Sequence, residues 1–190
     1  FRPYRACGGS APCCSDGCMS VSHILIPLRC LATAKSRLSD VLSSDERRRL
    51  TEALLVRSLR ASTTVAGGSA VTVLTTDVEV MAIATRFGTR TLCDHADASG
   101  LSSAVSFGLD ELRQAGVHDV LVLMPDLPHV SAAAVSLALR VWARHDVVLT
   151  ASASGHGTNA LLLRRGASIK LALGAPDSLD QHRAAAASAG

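Results

Sequence analysis

Short apolar runs alternate along the chain with longer stretches whose apolar positions recur at helical spacing, and that alternation predicts the elements. Residues 24–28 predict a buried first strand. A capping box follows, with Ser43 as N-cap and Glu46 three residues on, opening a helix whose Leu50, Leu54, Leu55 and Leu59 share one face. Gly67 and Gly68 close it. Residues 71–75 predict the second strand. Thr76 and Asp77 lead a helix carrying Met81, Ile83, Ala84 and Phe87, stopped by Gly88, and residues 89–92 predict a third strand. Leu101, Val105, Gly108, Leu109 and Leu112 mark the next helix, closed at Gly116. Residues 120–124 are apolar throughout, the signature of a central strand buried on both faces. It ends in Pro125-Asp126-Leu127-Pro128, followed by a helix from Ser131 through Val135, Leu139 and Trp142. Strands are predicted at 147–150 and 159–163, with a loop and an Ala-rich helix over 174–190. The β-α rhythm predicts a mostly parallel, twisted sheet with helices on both faces.

Composition sharpens this. The 190 residues suit one domain and are 48% hydrophobic but only 3% aromatic, so the core must be built from Ala, Val and Leu. Small residues of that kind let helices lie close on a sheet. The net charge of +3 is spread without a basic run, which argues against nucleic acid as a partner. No apolar stretch reaches the length of an ordinary membrane span. Cys7, Cys13, Cys14 and Cys18 crowd the head at spacings that fit no zinc ribbon or finger, and the head has no signal-peptide core. Residues 1–22 therefore read as a disordered or non-native N-terminal extension, ahead of one domain over 23–190. The isolated Cys30 and Cys93 read as reduced thiols of a cytoplasmic protein.

The chemistry must come from what remains after the familiar motifs are ruled out. There is no G-x-x-x-x-G-K-[ST], no G-x-G-x-x-G after a strand, no G-x-S-x-G and no H-E-x-x-H. The first strand runs into a loop bearing Arg29, Lys35 and Arg37. Ligands of open α/β sheets sit beyond the carboxyl ends of strands, where lysine and arginine hold phosphate as point charge and fork. A merely solvated loop is the plainer alternative. Asp126, between prolines after the most buried strand, is a candidate magnesium ligand, or else a turn residue leading a helix. Cations for a triphosphate and a carboxylate for its metal are the parts phosphoryl or nucleotidyl transfer requires. Residues 155–159 (Gly-His-Gly-Thr-Asn) offer backbone N–H groups that could wrap a small anion, or an ordinary turn. Ser178 and His182 stand at the start of the last helix, Ser178 as a cap or an anion ligand.

Taken in order, Pro27, Ala34-Lys35-Ser36-Arg37-Leu38, Gly100-Leu101, Asp126-Leu127-Pro128, Gly157-Thr158-Asn159-Ala160-Leu161 and Gly174 with Ser178 and His182 resemble the CofC/FbiD family. These are the guanylyltransferases of coenzyme F420 biosynthesis, related in fold to the MobA-like nucleotidyltransferases of the molybdenum cofactor. The resemblance implies a Rossmann-like nucleotidyltransferase fold. It implies magnesium-dependent transfer of GMP from GTP to phosphoenolpyruvate, 2-phospho-L-lactate or 3-phospho-D-glycerate, releasing pyrophosphate. By position, Pro27, Leu28, Gly100 and Leu101 would meet the nucleotide, and Lys35 and Arg37 its phosphates. Asp126 would hold the metal, and Thr158, Asn159, Gly174 and Ser178 the acceptor. A homodimer is left open.

Departures from the family pattern stand beside the match. Arg29 replaces a common lysine, Ser102 a usual asparagine, and residues 151–154 lack a frequent acid before the glycine loop. The turn over 174–178 runs one residue longer than usual. The family's next strand carries an Asp-Val-Asp-Thr-Pro-like motif with a second metal carboxylate, so the domain over 23–190 is expected to lack the family's C-terminal segment. Two alternatives remain: another MobA-like nucleotidyltransferase acting on a sugar phosphate or cofactor, and a truncated, non-catalytic nucleotide-binding paralogue.

Overall fold

The structure, a computed structural model, describes residues 23–32, 35–93, 100–142, 145–164 and 167–189, without the side chains of 141 and 142. The expectations for the Cys-rich head, the loop over 94–99 and the terminal Gly190 lie outside the described residues.

Six strands form one sheet: β1 His23–Pro27, β2 Val71–Leu74, β3 Arg90–Leu92, β4 Val120–Leu123, β5 Val147–Ala151 and β6 Thr158–Leu163. Their order is β3-β2-β1-β4-β6-β5. The first four in that order are mutually parallel, while β6 runs antiparallel to both β4 and β5. Five helices complete the fold: α1 Ser44–Ala66, α2 Val78–Arg86, α3 Leu101–Gln114, α4 Ala132–Trp142 and α5 Ser178–Ser188. None of the described helices is long and apolar enough to cross a membrane.

Strand side chains alternate between two cores. Ile24, Ile26, Val71, Val73, Leu121 and Leu123 pack with α1, α2 and α4. Leu25, Val120, Val122, Leu161 and Leu163 pack with α3. Gly108 explains how close α3 lies. A Cβ there would stand 3.1 Å from Leu25 Cδ2, tighter than ordinary contact. The capping box of α1 forms as the sequence predicts: Glu46 N donates to Ser43 Oγ, and Ser43 N donates to a Glu46 carboxylate oxygen at 2.8 Å. Such a cap contributes about 1 kcal/mol to holding the helix start.

His23 is buried in β1, its Nε2 2.7 Å from Thr72 Oγ1. Burial, assisted by the positive charge of Arg90, lowers its pKa from 6.5 to about 4. As pH falls, the unfolded chain takes up this proton first. The stability tied to a neutral His23 is therefore complete above about pH 6.5 and is lost between there and about pH 4. The gap corresponds to roughly 3 kcal/mol at most. Urea unfolding at pH 7.5 and 4.5 should show a smaller loss of stability on acidification in His23→Gln than in the wild type. Equal losses in the two proteins would remove His23 from the pH response.

Candidate functional site

The chain passes from β1 to β2 and β3 on one side of the sheet, then returns to β4 on the other side of β1. The loops leaving β1 and β4 thus part in opposite directions, opening a crevice at the strands' carboxyl ends, the usual ligand position in such sheets.

Each wall of the crevice is anchored from below. On the β4 side, Met124 N donates to Asn159 O at 3.0 Å, and Ser58, fully buried on α1, donates to Pro125 O. Pro125 is buried, so the turn presents Asp126 outward, its side chain half exposed. On the β1 side, Leu28 N donates to Leu74 O, and the hydroxyls of Thr75 and Thr76 donate to Arg29 O. Leu31 is buried and its N–H donates to Asp77 Oδ2 at 2.9 Å. Burial pushes the Asp77 carboxyl up, but N–H donors from Leu31 and Glu79 and the Cys30 thiol outweigh it and hold the pKa below the usual range. Asp77 is therefore an ionised anchor for the loop, and its oxygens are already engaged.

Lys35 follows in a left-handed conformation (φ 59°, ψ 33°), where a non-glycine residue costs of order 1 kcal/mol. This bend carries its ammonium across the crevice, where Nζ lies 2.8 Å from Asp126 Oδ2. The two residues are 91 positions apart in sequence. Arg37 does not join them. The 3-10 turn Ser36–Leu38 directly after Lys35 leaves Arg37 exposed, away from the walls of the cavities on either side of Leu28. Of the two cations expected to face one triphosphate, Lys35 reaches the crevice beside Asp126, while Arg37 stands exposed on the turn that follows it.

Two cavities flank Leu28. One, of about 120 Å³, is lined by Pro27, Leu28, Arg29, Thr75, Gly100 and Leu101. All four residues predicted to meet the nucleotide line it. The other, of about 170 Å³, is lined by Leu28, Lys35, Thr51, Met124, Pro125 and Asp126.

The predicted acceptor residues lie at the same end of the sheet, because antiparallel β6 begins where β4 ends: Leu123 pairs with Ala160. Thr158 N donates to Ser178 Oγ at 3.0 Å, and Ser178 Oγ donates to Thr158 Oγ1 at 3.3 Å. Thr158 Oγ1 also lies 2.9 Å from His182 Nδ1. All three residues are more than nine-tenths buried. Gly174 (φ +85°) joins this cluster to the first cavity, since a Cβ on it would lie 3.9 Å from Leu101 Cδ2. Asn159 stands apart. The register slips at the bulge between Thr150 and Ala151, so Ala151 pairs with Thr158 and Thr150 with Ala160. Asn159 is left as the extra residue, its amide donating to Ala151 O and its side chain lining an apolar cavity of about 330 Å³ beneath α4.

The glycine loop differs from its sequence reading. Gly155 N donates to Ser152 O and Gly157 N to Ser152 Oγ, while Ser152 N donates back to Gly157 O. With Thr158 N taken by Ser178, most of the expected free donors are engaged inside the loop, because Ser152 folds back to cap them. The sequence reading also missed Ser58 and Thr75. A small polar residue within an apolar face, or closing an apolar strand, was the available signal for both.

Residues 22–186 match the family model described as "Guanylyl transferase CofC like". The chain belongs to this family. It is 36% identical over 169 residues to the phosphoenolpyruvate guanylyltransferase of Nocardia farcinica, covering 87% of this chain and 74% of the relative. It is 34% identical over 166 residues to the enzyme of that name from Sphaerobacter thermophilus, covering 87% and 79%. Among solved structures, a candidate nucleotide-diphospho-sugar transferase from Desulfovibrio desulfuricans superposes with a TM-score of 0.64 at 16% identity, over 77% of this chain and 64% of that one. A cytidylyltransferase from Leptospira borgpetersenii gives 0.50 at 14% identity, over 75% and 60%. At such identities the structures establish the fold, that of nucleotidyltransferases, as the sequence predicted. This CofC-like chain is a nucleotidyltransferase.

Its departures from the family pattern now have structural places. Arg29 lines the first cavity, and Ser102 donates to Leu173 O at 3.3 Å, tying α3 to the loop before Gly174. For a metal, no group of three His, Cys, Asp or Glu side chains converges among the described residues, so they build no all-protein cage. One half-exposed carboxylate beside a lysine ammonium is a donor set that fits magnesium. That ion keeps waters and takes phosphate oxygens, needing one or two protein carboxylates.

Proposed function

We propose that this CofC-like enzyme transfers GMP from GTP to a three-carbon phospho-acid, phosphoenolpyruvate foremost, with magnesium held by Asp126. The observation that carries the reading is the Lys35–Asp126 pair, 2.8 Å apart at the switch point and lining a cavity that adjoins the one lined by Pro27, Leu28, Gly100 and Leu101. GTP would lie with its nucleoside in the latter and its phosphates toward Lys35. A phosphate oxygen of the acceptor attacks the α-phosphorus, the bond to the β-phosphate's bridging oxygen breaks, and pyrophosphate leaves. No strong base is needed, because the attacking phosphate is already an anion. Bound magnesium would neutralise charge on the phosphate oxygens.

The chain's own part is positioning and charge. Lys35 turns from Asp126 to the triphosphate, which frees the carboxylate for the metal. Thr158, Ser178 and the backbone at Gly174, next to Leu101, would orient the acceptor's carboxylate and phosphate toward the α-phosphorus. The phosphoenolpyruvate named for the relatives favours that acceptor over its close analogues.

Pyrophosphate release tests the reading, with magnesium, each nucleoside triphosphate in turn, and phosphoenolpyruvate, 2-phospho-L-lactate, 3-phospho-D-glycerate or a sugar 1-phosphate. Release is expected with GTP and a phospho-acid. Release only with a sugar phosphate, or none under any condition, contradicts it.

A further inference from the structure

His182 is the most deeply buried polar residue at the acceptor end, fully enclosed, one turn beyond Ser178 on α5. Its two ring nitrogens have unlike neighbours. Nε2 accepts the backbone N–H of Ala172 at 2.9 Å. A backbone amide can only donate, so Nε2 must carry a lone pair, and the proton of the neutral ring sits on Nδ1. Burial lowers the pKa of His182, in keeping with a neutral ring.

Nδ1–H then points at Thr158 Oγ1, 2.9 Å away. The same oxygen accepts from Ser178 Oγ. Two donors occupy the two lone pairs of the threonine hydroxyl, so its own proton has one direction left, out of the cluster. Thr158 is 8% exposed, and its O–H has no acceptor among the described residues. A nearly buried hydroxyl held as an obligatory donor suits an anionic oxygen.

We propose that His182 is a positioning residue for the acceptor: it fixes Thr158 as a donor toward the carboxylate or phosphate of the phospho-acid. It does so while bracing three segments, the start of β6, the loop at Ala172 and α5. The inference rests on the proposed acceptor site and extends it to a residue that touches no substrate.

Two substitutions divide the ring's two contacts. His182→Asn retains a side-chain amide near the position of Nδ1, able to donate to Thr158. His182→Gln places its amide oxygen near the position of Nε2, able to accept from Ala172 but unable to donate to Thr158. The expected result is that His182→Gln raises KM for phosphoenolpyruvate about tenfold, the worth of one hydrogen bond, while His182→Asn stays within about threefold of the wild type. KM for GTP should be unchanged in both. A purely structural role would raise acceptor KM equally in the two variants, or track their Tm, and that result overturns the proposal.

A measurement on the unsubstituted enzyme guards against variants that fail to fold. Nitrogen-15 NMR of the histidine rings should show His182 as the Nδ1–H tautomer, with its Nδ1 resonance shifting when phosphoenolpyruvate is added. An Nε2–H tautomer, or no shift at a saturating acceptor concentration, also overturns it. If wild-type enzyme uses no phospho-acid, the acceptor reading itself has failed. If it turns over while both variants behave alike, only the role of His182 has.

Discussion

Replacing Asp126 with asparagine is expected to reduce guanylyl transfer roughly a thousandfold, the several kcal/mol that a metal contributes to a phosphate transition state. The substitution preserves size and hydrogen-bonding shape but removes the charge that would hold magnesium. Stability should hardly change. The Asp126 side chain is half exposed and pairs with Lys35 at the surface, so the pair contributes about 1 kcal/mol or less to folding. Circular dichroism and Tm should therefore match the wild type within a few degrees. Full activity in a folded Asp126→Asn enzyme would remove Asp126 from the metal site.

Lys35→Ala should weaken GTP binding tenfold to a hundredfold, because a charge-assisted bond to phosphate is worth about 1.5–3 kcal/mol. Alanine inherits the same left-handed backbone at φ 59°, so the comparison isolates the ammonium group from the bend that carries it. The acceptor's KM should be nearly unaffected, since Thr158 and Ser178 are held by α5 and β6 rather than by the β1 loop. The ion pair adds a second consequence. In the free enzyme the ammonium sits against the carboxylate, so metal alone must compete with Lys35 for Asp126. Mn²⁺ titrated without nucleotide should bind the Lys35→Ala protein at least as well as the wild type, though GTP binds it less well. Unchanged GTP affinity by calorimetry would exclude Lys35 from the triphosphate site.

Much of this fold was legible in the sequence, for reasons that particular residues make plain. The inner strands β1, β2, β4 and β6 lie within a residue of their apolar runs, because a buried β-strand admits almost nothing else. The Ser43–Glu46 box announced α1, and Asp77 announced α2. The direction of β6 was not legible, since an apolar run has no polarity. Yet that direction brings Thr158 to the edge where Asp126 stands.

The site was legible as a set of residue types and less so as an arrangement. Lys35 and Asp126 could be named because strand ends collect ligands, and Pro27, Leu28, Gly100 and Leu101 through the family resemblance. That Arg37 stands away from Lys35 and Asp126 was not legible, because its spacing from Lys35 says nothing about a left-handed residue followed by a tight turn. The donors of the glycine loop were overcounted because Ser152 lies outside the motif that was read. Thr158, Ser178 and His182 were visible singly. Their hydrogen bonds to one another depend on contacts 20 and 24 residues apart in sequence, which no local pattern records.

A crystal structure of the enzyme with magnesium and a non-hydrolysable GTP analogue tests the central claim most directly. The expected result has the Lys35 ammonium withdrawn from Asp126 onto a phosphate oxygen, and an oxygen of Asp126 in the metal's coordination shell. A complex in which the 2.8 Å Lys35–Asp126 pair persists, with the nucleotide bound elsewhere on the sheet, would contradict it.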